Sequence, residues 1–196
     1  GMISLNRALF NGTAYAKDSG GDPASIPHLT YDMVKAAHER HYHPSNARIF
    51  LDGAMNLEPV LCLLDAHLSK YERREPISLA GKSTPHVSPL TRVSYEIAEN
   101  EEEKGRARLL LGYVYSDYTD RESNIAMSVL SDILCGSNAS PLKKLMLDKG
   151  LCKDMAMYSS KSRENTLVIE VRDIEEERAD EIITLIDTTI RAVASE

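Results

Sequence analysis

Apolar residues recur at helical spacing in the first seventy residues, and alternate or run continuously in the second half. Thr30 precedes YDMVKAAHERHY, with Pro44 just beyond, which predicts a capped helix stopped before a proline. Leu57, Val60, Leu61, Leu64, Leu68 and Tyr71 share one face of a second helix that starts near Asn56. Between the two, NARIFLDG predicts a short strand closed by Asp52-Gly53. Residues 1–29 are rich in Gly, Pro, Ser and Asp and read as irregular. The first section, 1–71, thus reads helix, strand, helix.

The periodicity then lapses. ERREPISLAGKSTPHVSP, residues 72–89, holds three prolines and a glycine and predicts a linker. A fuller unit follows over 90–196. Val93, Tyr95 and Ile97 alternate as a strand does, and ARLLLGYVYS is apolar on both faces, which predicts a strand central in a sheet. A helix follows with Ala126, Val129, Leu130, Ile133 and Leu134 on one side, ending at Gly136. Ser140 and Pro141 have the residue types that open a helix over PLKKLMLDKG. CKDMAMYSSKS and TLVIEVRDI predict a hairpin, and the closing helix buries Ile182, Ile186, Ile190 and Val193. The predicted class is α+β, an antiparallel sheet backed by helices.

Composition narrows the function. At 196 residues, 42% hydrophobic and 27% charged, the chain is an ordinary globular sequence. A formal net charge of -7 argues against a general nucleic-acid binder, which needs a basic surface to release counterions. No apolar run is long enough to span a bilayer, so no membrane partner is expected. Cys62, Cys135 and Cys152 are odd in number and lack C-x-x-C spacing, so they read as free thiols rather than a disulfide framework or zinc knuckle. Such thiols fit a reducing compartment, bacterial cytoplasm or a mitochondrial-matrix-like space.

Two constellations invite chemistry. HERHYH supplies His38, His41 and His43, but Tyr42 stands where either H-E-x-x-H or H-x-x-E-H would need its second histidine. His38 and His41 are three apart and could share a face; the alternative is a set of helix-end residues favoured by the C-terminal dipole. Ser137, Asn138 and Ser140 sit in a loop before a helix, a place where an anion or peptide carboxylate can bind; Lys143 and Lys144 follow, as anion partners or as solvated charges.

The stretch from Asp18 to Asn46, DSGGDPASIPHLTYDMVKAAHERHYHPSN, resembles a segment of the insulinase/pitrilysin-type zinc metallopeptidases, in the presequence-protease-like branch. GSNASPLKKLMLDKGL is similar to the family's segment in the same place of its repeated domains. The resemblance implies the end of one α+β domain, 1–71, joined through 72–89 to a second, 90–196. It implies zinc in the parent protein, held by H-x-x-E-H, with a glutamate acting on the attacking water. No H-x-x-E-H occurs in the chain, so catalytic and metal residues are expected to be absent from it. The expected role is that of a non-catalytic internal fragment of a metalloendopeptidase that degrades peptides in a closed chamber. The alternative is a piece of an inactive relative serving as a structural or binding subunit. Gly20, Gly21 and Asp22 then belong either to a chamber-lining loop or to a rigid turn. Expected partners are the remainder of the parent, its peptide substrates and, through uncovered apolar surface, a second copy of the fragment.

Overall fold

The strand Glu164–Ile174 (β3) is buried without interruption from Asn165 to Val171, and the sheet is built on both its edges. Ala107–Asp117 (β1) and Asp154–Ser160 (β2) both pair with it antiparallel, in the order β1-β3-β2. The computed structural model describes residues 1–77, 90–100, 102–160 and 162–195. They hold three strands and six α-helices, so the α+β class with an antiparallel sheet stands.

Register explains the core. Leu109, Val171 and Met155 form one row across the strands, and Leu111, Ile169 and Met157 form the next. Alternation along each strand puts these residues on a single face. Three helices cover that face: Arg121–Cys135 (α4), Pro141–Asp148 (α5) and Ala179–Val193 (α6). They contribute Leu134, Leu142, Met146, Ile182 and Ile186, all essentially without solvent contact, to the same cluster as the sheet rows. Each such side chain contributes about 1.5–3 kcal/mol on burial.

The opposite face carries Arg108, Arg172 and Asp154 in one row and Leu110, Glu170 and Ala156 in the next. Met2–Leu9 (α1) packs here, laying Leu5 and Leu9 over Gly112. Two sequence expectations change as a result. The first residues are helical rather than irregular, because MISLNRAL has an apolar stripe that docks on the sheet. And β1 is apolar on both faces because α1 covers the second one, not because the strand is central; β3 is central.

Two predicted strands are absent. Residues 47–52 and 93–97 carry no strand. A strand exists only when a second chain segment accepts and donates its hydrogen bonds, and neither stretch has such a partner among the described residues. In the latter, the Tyr95 hydroxyl donates to the Arg106 carbonyl instead. On α4, Leu130 and Leu134 face the core, while Val129 and Ile133 join Ile125 on the exposed side. The helix therefore has two apolar stripes, where the sequence pattern merged them into one.

Compactness divides the chain into one unit of Gly1–Lys17 with Lys82–Glu196 and another of Asp18–Gly81. The first seventeen residues thus group with β1 rather than with the segment that follows them. The smaller unit contains Tyr31–His41 (α2) and Leu57–Leu68 (α3). Thr30 caps α2 by accepting from the Met33 amide, and Asn56 caps α3 by accepting from the Glu58 amide. No described residue of this unit is buried. Of the predicted linker, residues 78–89 lie outside the described residues.

Candidate functional site

At the end of α2 the His38 and His43 rings make local contacts, and His41 contributes its backbone carbonyl. His38 stacks on Tyr42, with ring centroids 4.6 Å apart and planes 13° from parallel. The His43 Nδ1 accepts from the Ser45 amide at 3.2 Å, capping the 3-10 turn Pro44–Asn46. Asn46 Nδ2 donates to the His41 carbonyl at 3.1 Å, closing the helix end. A zinc site needs three or four converging donors. Among the described residues no three His, Cys, Asp or Glu side chains converge in that way. With H-x-x-E-H missing from the whole chain, the donor set here does not fit zinc.

The Gly20-Gly21-Asp22 segment is a self-bonded turn. Asp18 Oδ1 accepts from the Gly20 amide at 3.0 Å, and Asp22 Oδ2 accepts from the Ser25 hydroxyl at 2.8 Å. Gly21 has φ +91°, which a side chain would disfavour. The loop before α5 is also closed on itself. Ser140 Oγ accepts from the Ser137 amide at 3.1 Å, and Ser137 Oγ accepts from the Ala139 amide at 3.2 Å. Asn138 is exposed at its tip. The two lysines beyond it turn to carboxylates, Lys143 Nζ to Asp154 at 2.7 Å and Lys144 Nζ to Asp148 at 2.6 Å. The Lys143 hydrogen bond holds the Asp154 carboxyl below its ordinary value, against the opposing effect of partial burial. Within the core, burial pushes the Cys135 thiol up to about 11 and raises Cys152 as well.

A site that the sequence did not single out lies in the smaller unit. The Ser45 hydroxyl accepts from the Arg74 amide at 2.9 Å, and Asn46 Oδ1 accepts from the Ile77 amide at 2.7 Å. These bonds hold the segment after α3 against the HPSN turn. A cleft of about 360 Å³ opens beside them, lined by His43, Arg48, Tyr71, Arg73 and Arg74, with Glu72 as the one carboxylate among the described lining residues. A second groove of about 420 Å³ shares His43, Pro44 and Tyr71 and continues over Ala47 and Leu68. The available signal was the Arg73-Arg74 pair, set in a stretch whose prolines read as linker.

A family model described as peptidase M16 inactive domain matches residues 28–196. Protein HypA of Clostridium perfringens (strain 13 / Type A) is 31% identical over 191 residues, 95% of this chain and 20% of its own length. The mitochondrial presequence protease of Mus musculus is 31% identical over 196 residues, 96% of this chain and 19% of its own. The crystal structure of a peptidase M16 inactive domain from Pseudomonas fluorescens superposes with a TM-score of 0.66 at 16% identity, covering 97% of this chain and 45% of that one. The chain spans about a fifth of the length of these curated relatives.

Proposed function

This chain belongs to the peptidase M16 inactive-domain family, and we propose that it is a non-catalytic segment of a zinc-dependent metalloendopeptidase that degrades peptides in a closed chamber. The observation that carries this reading is the pairing of two facts. Relatives named presequence protease align along nearly all of this chain, yet it supplies about a fifth of their length and no H-x-x-E-H. Zinc, which in such an enzyme polarises the scissile carbonyl, is then held elsewhere in the parent protein. The chain's contribution is scaffold and chamber wall. Its partners are the rest of that protein and, through it, peptide substrates.

A reducing compartment, bacterial cytoplasm or a mitochondrial-matrix-like space, fits the three free thiols, and mitochondrial presequence proteases are among the chain's relatives. No helix among the described residues is long and apolar enough to cross a membrane. Two measurements test the proposal. The isolated chain is expected to hydrolyse no unstructured peptide and to carry far less than one zinc per molecule. The longer protein is expected to hydrolyse such peptides in a zinc-dependent manner, with activity lost when the glutamate of its H-x-x-E-H is changed to glutamine. A longer protein with no H-x-x-E-H and no hydrolysis would replace the proposal by the inactive structural or binding subunit.

A further inference from the structure

The arginine cleft and its neighbouring groove have the chemistry of a site for an anion attached to an apolar group. Arg48, Arg73 and Arg74 line one cleft in a chain whose formal charge is -7. None of the three has an ion-pair partner among the described residues; Arg48 Nη1 reaches only the Ala47 carbonyl, at 3.1 Å. Glu72 is the single carboxylate among the described residues that line the cleft, against three guanidinium groups, so they give it an excess of positive charge. Guanidinium groups present paired N–H donors that match the two oxygens of a carboxylate. His43 adds to this. Its Nδ1 is occupied as an acceptor from the Ser45 amide, so in the neutral ring the proton sits on Nε2 as a further donor.

The second groove begins where the first ends. The Tyr71 ring meets His43 edge-on at 5.6 Å, and both residues line both cavities. Leu68, Ala47 and Pro44 make the continuing surface apolar. A ligand that fits both has a carboxylate at one end and an aliphatic or aromatic side chain beside it. The geometry points to a docking site for the C-terminal carboxylate of a peptide, with the last side chain in the groove under Tyr71. The choice of a peptide rests on the proposed function; the preference for a carboxylate with an apolar neighbour rests on the cleft itself. The frame is fixed by backbone bonds at Arg74 and Ile77, so substitutions of the arginine side chains leave it in place.

The test is binding to the whole 196-residue chain, by calorimetry or chemical-shift titration. The probes are an N-acetylated hexapeptide ending in leucine as the free acid, the same peptide as the C-terminal amide, and inorganic phosphate. The acid is expected to bind at least tenfold more tightly than the amide. An Arg73→Gln/Arg74→Gln double variant should lose that preference with an unchanged circular-dichroism spectrum, and Arg48→Gln should lose part of it. Equal affinity for acid and amide, or an acid preference that survives the double variant, overturns the site. Phosphate binding more tightly than the acid peptide overturns the peptide assignment. None of these outcomes bears on hydrolysis by the longer protein, so a failure here leaves the proposed function standing; absence of hydrolysis by the longer protein would remove the reason for choosing a peptide and leave the carboxylate preference of the cleft to be read from the same titrations.

Discussion

Leu9 occupies the space that a side chain on Gly112 would need: a Cβ built there would lie 2.7 Å from Leu9 Cδ1 and 2.8 Å from Leu5 Cδ1. The missing side chain lets α1 seat directly on β1. Gly112→Val is therefore expected to push α1 off the sheet and to destabilise the larger unit by about 1–3 kcal/mol, as overpacking does. Urea unfolding measures this. Combining Leu9→Ala with Gly112→Val should recover part of the loss, because the two residues compete for one volume. A purely additive double variant would show that the contact does not set the cost.

The two stripes of α4 predict opposite responses one residue apart. Leu134 is fully buried, whereas Ile133 is 54% exposed. Leu134→Ala should cost about 2–5 kcal/mol in unfolding free energy. Ile133→Ala should fall within about 0.5 kcal/mol of the parent chain. Equal effects would mean that a second surface covers Ile133 in solution.

Acid should weaken the link between α5 and β2. The Asp154 carboxyl is held low by Lys143, so its contribution is present above the ordinary carboxylate range and is lost as pH falls through the lowered value. Asp154 is 43% exposed, and the pair is worth about 0.5–1 kcal/mol after screening. Asp154→Asn should be less stable than the parent at neutral pH, and the difference should shrink as pH falls below the ordinary carboxylate range. A gap undiminished in acid would point to packing rather than charge.

The thiols should separate by reactivity. Cys62 is exposed, while Cys135 and Cys152 are buried. With Ellman's reagent at pH 8, one thiol per chain should react quickly and the other two only on unfolding. Because burial raises Cys135 to about 11 from an ordinary value of 9.0, its contribution to stability is full below pH 9 and declines as pH rises toward 11. Cys135→Ala should flatten that alkaline decline.

Self-association is the expected behaviour of the smaller unit. Leu57 and Leu61 on α3 are each about half exposed, and Phe50, outside any helix or strand, is 88% exposed. Large exposed apolar side chains of this kind favour a partner when they lie together. Light scattering should show a dimer or larger species at high concentration, reduced by Leu61→Gln with Leu64→Gln. A monomer at millimolar concentration, with both helices retained by circular dichroism, would remove this expectation.

Local pattern carried most of the larger unit. Ile182 and Ile186 fall on the buried stripe of α6 as their spacing requires, and Met155 and Met157 alternate into the core as a strand demands. What failed was non-local. Ile49 to Leu51 have the residue types of a strand, but pairing depends on a partner that no local pattern specifies. The eight-residue α1 is too short to declare itself by periodicity among neighbouring glycines and serines, and it is held by contact with Gly112 far along the chain. The arginine cleft was illegible for the same reason. Ser45 and Arg74 meet through a hydrogen bond across 29 positions, and their sequence neighbourhoods read as a helix stop and a linker.

With no buried residue among those described, the smaller unit shows no interior of its own on which substitutions can be selected. In a genetic screen, changes at Phe50 or Leu57 should then track poorly with the melting temperature of the isolated chain and, if it is the segment of a longer enzyme proposed above, closely with how well that enzyme assembles. Variation tolerated at these positions would have to be matched by compensating changes in whatever surface covers them. Covariation between this stretch and distant parts of the longer protein is thus the inherited signature that its exposed side chains should leave.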